Sequence, residues 1–303
     1  MRHRLLSLLL FLGSLSCQPR PVPVPLPSGS KLFSWKVSSP TSEACLLGTV
    51  LLGRRETLPL AREIEDAFER SRILMVPYDE AKTDLSRMRR FVAERGMYPE
   101  DDGLSQRLRP ETLRILFEKV DEQGLSVGTV ERMRPWLLSV NLKVQVIKDL
   151  DYIPRRSISR HFQEAAREKK KEIVELEGAE HQNTLLADLP AEMQEQLLLA
   201  TLQDLKEMKE SLAVSAECWL KGDAEGMERE RIRTPLEKHP ERRALQERIL
   251  DTRSVRMAGK IADALKDKGP LFVLLPVDHL LGDAGVLNLL RKKGFSVEQM
   301  EIP

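Results

Sequence analysis

Two short segments of this 303-residue chain bring histidine and carboxylates close enough in sequence to do chemistry. The first is Pro276-Val277-Asp278-His279, directly after the apolar run Leu271–Leu275. An imidazole or carboxylate at the end of a strand can ligate a metal or move a proton. On extended chain, neighbouring side chains point to opposite sides, which separates Asp278 from His279. The second segment is VELEGAEHQ, residues 174–182. There Glu177 and His181 stand four apart and share a face if a helix has begun. A solvated pair at a helix start is the plainer reading. Glu177 and Glu180 would favour the positive end of that helix. His161 and His239 sit in charged stretches and read as surface residues, and Lys169–Lys171 reads as a solvated helix end. The sequence holds no Gly-rich phosphate loop, no Gly-x-Ser-x-Gly elbow and no Cys-x-x-Cys pair.

The elements that must position these groups follow from periodicity and breakers. Leu32–Val37 and Ala44–Leu52 are apolar runs split by SSPTSE, which predicts a hairpin. Pro59 opens an amphipathic helix through Leu60, Ile64, Ala67 and Phe68, and Ile73–Tyr78 is a third strand. Strand, helix, strand in so short a span implies a crossover unit. Helical spacing follows through Leu85–Val92, Leu113–Val120, Met133–Leu142 and Ile158–Ala166, and Ile173–Leu176 is a fourth strand. Residues 179–250 are helical, with an apolar stripe at Leu197, Leu198, Leu202 and Leu205. A helix over Val255–Lys268, a strand at Leu271–Leu275, a helix over 283–293 with Asp283 in its first turn, and a strand at Ser296–Ile302 complete the pattern. Strands at the two ends need each other for a sheet, so the fold class is α/β. It has a mixed central sheet built from N- and C-terminal strands, with a large helical insertion at about 80–250.

Lys and Arg number 48 against 47 Asp and Glu, a net charge of +1, so no field exists to neutralise phosphates and no nucleic-acid partner is expected. Residues 1–16 combine Arg2, His3 and Arg4 with the apolar run Leu5–Leu12 and small residues before Cys17. That is a signal-peptide pattern, too short to span a bilayer. It resembles a bacterial lipoprotein signal, with Cys17 lipidated and anchoring the chain to a membrane. QPRPVPVPLPSGS follows, so residues 17–30 read as a semi-rigid tether. The expected location is the cell envelope. Cys45 and Cys218 read as two separate buried thiols.

Several segments together resemble the TraB/GumN family, which includes the Tiki-type metal-dependent proteases. They are LLGTVLLG (46–53) with PLAREIEDAFERSRILMV (59–76), VELEGAEHQ (174–182), CWLKGDAEGM (218–227), DTRSVRMAGKIADAL (251–265) and LLPVDHLLGDAGVLNLLRKKGFSVEQM (274–300). The resemblance implies an α/β fold of two related halves, each with Gly-x-x-His after a strand, and metal-assisted hydrolysis of a peptide or amide bond. A catalytic zinc takes about three protein ligands and an open position for water, whose pKa it lowers.

Measured against that pattern, Glu177, Gln182, Arg253 and His279 match, while Leu51 replaces the first histidine and Pro77 the strand-end glutamate. Arg253-Ser254 replaces Arg-Asn, and Pro276 replaces the second glycine. Leucine has no lone pair to donate, and proline has neither a ligating side chain nor an N–H. Asp79 shares a strand face with Pro77 if the strand persists, and could replace the missing carboxylate. Glu177, His279 and Arg253 are therefore the candidate catalytic residues, and His279, Glu177 and Asp79 the candidate metal ligands. The expectation is a degenerate metal-hydrolase site in an exported pseudoenzyme that needs no cofactor and binds a peptide or envelope protein. The alternatives are an active hydrolase using zinc or manganese at a site rebuilt from His279, Glu177 and one of Asp79, Glu80 or Asp278, and a structural envelope lipoprotein.

Overall fold

The computed structural model describes residues 27–51, 60–122, 126–148 and 157–303. The leader, Cys17 and the tether up to Leu26 lie outside the described residues, as do Leu52 and Pro59. The six strands are β1 (Lys31–Ser38), β2 (Glu43–Thr49), β3 (Ile73–Val76), β4 (Glu172–Glu175), β5 (Leu271–Pro276) and β6 (Ser296–Glu301). They form one sheet in the order β4-β3-β5-β2-β1-β6. β2, β5, β3 and β4 run parallel, with Thr49 opposite Pro276 and Val76 opposite Glu175, while β1 is antiparallel to both its neighbours. The α/β class and the mixed sheet of terminal and central strands stand as the sequence implied. β2 and β3 flank β5, so the C-terminal strand completes the crossover begun at the N-terminal end.

Burial follows position in the sheet. β3 and β5 are almost wholly buried, as expected for parallel strands covered on both faces, whereas the edge strands β4 and β6 are half-exposed. Phe68 and Phe162 bring their helices, Arg62–Arg70 and Ile158–Glu168, onto Phe272 of β5, with ring centroids 4.8–5.4 Å apart. His161 is half-buried rather than a free surface residue, its ring 4.9 Å from that of Phe162. The Lys171 ammonium is likewise no solvated helix end: it donates to the Glu69 and Ser71 carbonyls and lies over the Phe68 ring.

The helical residues build two further cores. One joins Leu104, Leu116, Leu138 and Leu142 to Leu198 and Leu202, and the other joins Trp136 to Leu186, Leu197 and Leu245. Cys218, Trp219 and Met227 belong instead to the sheet core. Cys45 and Cys218 are both buried and free. At the N-terminal side, Gly29 N–H donates to Ile302 and the Ile302 N–H donates to Ser30, so the chain is already paired before β1 begins. Among the described residues no helix is long and apolar enough to cross a membrane. Phe162→Ala should cost about 3–5 kcal/mol, the range for deleting a fully buried aromatic ring. Urea unfolding followed by circular dichroism would measure it, and a loss under about 1 kcal/mol would show that the three rings are not a structural unit.

Candidate functional site

Because β2, β3, β4 and β5 are parallel, their carboxyl ends deliver Thr49–Leu51, Pro77–Asp79, Leu176–Glu177 and Val277–His279 to a single rim. This is where open α/β sheets place ligands. The rim divides into two parts of different character.

The first part is a closed polar cluster. Glu177, directly after β4, receives two hydrogen bonds from Arg253, Nε to Oε1 at 2.8 Å and a terminal nitrogen to Oε2 at 2.6 Å. The two side chains are only 6% and 9% exposed. Burial opposes the charge of Glu177, yet the hydrogen bonds and charge of Arg253 outweigh it and hold the carboxyl below its ordinary range. His279 is buried, with Nδ1 3.0 Å from Ser254 Oγ, and that hydroxyl also lies 3.1 Å from the Leu250 carbonyl. A hydroxyl has one proton; given to Leu250, it leaves Nδ1–H donating to Oγ. Burial first, then the neighbouring Arg253 charge, lowers the imidazole to about 4 against the opposing pull of Glu177 and Asp278, so it is neutral at pH 7.

The sequence places these groups by two devices. After β4, the N–H groups of Glu177 and Gly178 both donate to the Pro77 carbonyl at 2.9 Å, and Gly178 takes φ +109°, a conformation that favours glycine. Pro77, without a ligating side chain, thus still fixes the turn that carries Glu177. Arg253 and Ser254 follow the π-helical turn Glu247–Asp251, and Arg231 lies within a second one, Arg229–Arg233. Such turns often mark functional sites.

The helix after Glu177 starts at His181, not at Glu177 or Glu180. The first carboxylate is therefore held by Arg253 rather than by a helix dipole, and the second pairs with Arg87 at 2.8 Å. His181 still approaches Glu177, at 3.7 Å. Asp278 and His279 do diverge, though they lie on a one-turn helix, Val277–Leu280, rather than on extended chain. The next helix begins at Val286, which leaves Asp283 in the preceding turn. Asp79 is buried apart from the cluster, paired with Arg167 and accepting the Ala81 N–H at 3.1 Å.

The second part is an open cleft of about 590 Å³. Leu51 and Pro77 line it with Tyr78, Leu85, Leu212 and Val277, whereas Glu177 and His279 do not. Its polar lining includes Asp278, gripped by Arg231 at 2.9 and 2.8 Å. Burial works against the Asp278 charge, but Arg231 overrides it and holds the carboxyl below its ordinary range. Behind the rim, the Trp219 indole donates to the Gly48 carbonyl at 2.6 Å. A Cβ on Gly48 would come within 2.6 Å of the Phe33 ring, so only glycine fits between Phe33 and Leu280.

The donor set does not fit a catalytic metal. Among the described residues no group of three His, Cys, Asp or Glu side chains could hold an ion. Sequence reasoning missed Arg231 and Ser215, which only the tertiary structure brings to the rim. Trp219 sat unremarked in CWLKGDAEGM, and Ser254 was visible only as a departure from Arg-Asn.

The pattern of the TraB/PrgY/gumN family matches residues 33–299. The chain belongs to this family. Among curated relatives, the uncharacterized protein YbaP of Escherichia coli (strain K12) is 24% identical over 145 residues, covering 48% of this chain and 52% of that protein. YbaP of Shigella flexneri matches to the same extent. The chain thus spans about half the length of these curated relatives, and no solved structure matches it. The two TraB/PrgY/gumN resemblance positions occupied by Leu51 and Pro77 are therefore cleft wall in this chain, while Glu177, Arg253 and His279 form its buried polar cluster.

Two outcomes follow from the cluster. Arg253→Met, which strands a buried carboxylate, should destabilise the fold by about 3–5 kcal/mol, and adding Glu177→Met should recover much of it. Urea unfolding of both single variants and the double variant checks this, and strict additivity would refute the pairing. For His279 the unfolded chain takes a proton near pH 6.5, but the folded chain only near 4. Its neutral form therefore stabilises fully above about pH 6.5, and that stability drains away as pH falls toward 4, by up to about 3 kcal/mol. In His279→Gln the fall in urea midpoint between pH 7 and 4.5 should be correspondingly shallower.

Proposed function

We propose that this chain is an exported TraB/PrgY/gumN family protein whose metal-hydrolase site is degenerate, a pseudoenzyme that binds a peptide or envelope partner in the rim cleft. The carrying observation is the occupancy of Glu177. Each of its oxygens accepts a hydrogen bond from Arg253, so one of two retained donors already faces an internal cation. The other, His279, is buried beside that same positive charge. A divalent ion would have to share that carboxylate with a guanidinium, against its positive charge, and still find a third ligand, where Leu51 and Pro77 offer none. The cleft that those two residues line is left with apolar walls suited to binding rather than hydrolysis. Export and lipidation at Cys17 belong to the same proposal and rest on the leader and the proline-rich stretch.

Elemental analysis of the purified full chain tests the reading. Neither zinc nor manganese should be retained at one ion per chain, and neither ion should induce cleavage of unstructured casein. One tightly held ion per chain, lost in His279→Ala, together with cleavage that the same variant lacks, would reverse it.

A further inference from the structure

The proline-rich stretch enters the fold at the rim. β1 is antiparallel to β2, with Ser34 opposite Leu47 and Ser38 opposite Glu43, so Lys31 lies at the same end of the sheet as Thr49, Val50 and Leu51. Gly222, in the turn that ends the helix Met208–Leu220, packs on the Lys31 backbone, and the same helix supplies Leu212 to the cleft wall. The Ser30 N–H donates to the Pro27 carbonyl at 3.1 Å, and Gly29 and Ser30 are bonded to Ile302, so the chain leaves this end from a fixed point. Residues 18–26 extend beyond it and span about 28 Å at the 3.1 Å per residue of a polyproline helix. The cleft lies over the ends of β2, β5 and β3, about 10 Å in strand spacings, and β2 is the strand next to β1. The stretch reaches it with length to spare.

The chemistry of the two surfaces agrees. Residues 21–26 read PVPVPL and carry no charge. In the cleft, Asp278 holds Arg231 through both oxygens and Glu80 faces Arg160 at 3.9 Å, so its charges are already matched. Of the seven large hydrophobic side chains exposed among the described residues, three line this one cleft: Leu51, Tyr78 and Leu85. Clustered apolar exposure around a concave site marks a binding surface. Every second residue of PVPVPL lacks an N–H, so burying it leaves half the backbone donors that an ordinary peptide would strand. Its extended conformation is also set in advance, which is how proline-rich segments bind grooves that present an aromatic ring.

Resting on the reading of a peptide-binding cleft, we propose that residues 21–26 of this same chain occupy it, and that a partner segment enters only by displacing them. Covalent linkage makes weak affinity sufficient. A segment joined to its site by a short linker is present there at about millimolar effective concentration, so a dissociation constant of about 0.1 mM gives about nine-tenths occupancy. A partner in free solution meets that internal competitor before it meets the walls.

The test follows an end-blocked, fluorescein-labelled peptide QPRPVPVPLP, the sequence of residues 18–27, by fluorescence anisotropy. It is titrated with the chain carrying its whole tether and with the same chain bearing Val22→Ser, Val24→Ser and Leu26→Ser. The substituted chain should bind the probe about tenfold more tightly, the factor by which a millimolar internal competitor of about 0.1 mM affinity weakens an outside one. Leu85→Asp, added to the substituted chain, should cost at least tenfold, and Leu85 is 65% exposed, so the change leaves the core intact. Equal affinity in the two chains overturns self-occupancy and leaves a peptide-binding cleft standing. Binding that Leu85→Asp and Leu51→Asp both leave unaltered lies outside the cleft and overturns both readings. If the probe does not bind the substituted chain, self-occupancy falls, and a labelled LAVALA peptide decides the rest: its binding keeps the peptide reading, its failure removes that too.

Discussion

The buried pair between Glu177 and Arg253 is the constraint on which the rest of the rim depends. It joins the turn after β4 to the start of the helix Thr252–Asp267, two places 76 residues apart in sequence. Neither charge is tolerable alone in that environment, because each has left water and only the other compensates for it. The pair also fixes the electrostatics around His279. Burial first, and then the guanidinium beside it, disfavour a positive charge on the imidazole and keep the ring neutral. A second cation brought to Glu177 would meet the same opposition.

From this constraint follows the division of the rim. Glu177 and His279 sit in a closed polar cluster, the first bonded to Arg253 and the second to Ser254, both on the helix Thr252–Asp267. The open cleft takes its character from Leu51 and Pro77, and from Arg231 and Asp278, which neutralise one another. Pro77 serves both parts. Its ring lines the cleft while its carbonyl accepts the Glu177 and Gly178 N–H groups.

Much of the scaffold was legible in the sequence because it depends on local rules. Apolar runs of strand length bounded by breakers located all six strands, and helical spacing located the helices that carry Phe68 and Phe162, while the helix read from Val255 starts at Thr252 and so takes in Arg253. Boundaries shifted where a tertiary contact competes with local pattern. The helix after β4 begins at His181 because Glu177 and Gly178 are bound to the Pro77 carbonyl. Asp283 falls outside its helix because Gly282 turns the chain at φ +82°. His161 and Lys171 read as solvated from charged neighbours, yet the Phe68–Phe162–Phe272 cluster draws both inward.

For the site, the sequence by itself determined that two rim positions, Leu51 and Pro77, carry no donor side chain in any fold, a property fixed by covalent structure alone. What only the tertiary structure decided is how the remaining donors are used. Nothing in the spacing of Glu177, Arg253, Ser254 and His279 says that they bond one another, or that Arg231 finds Asp278 across 47 residues. Those pairings arise because parallel strands bring distant segments to one rim, where a buried charge must take whichever partner the sheet and its helices deliver.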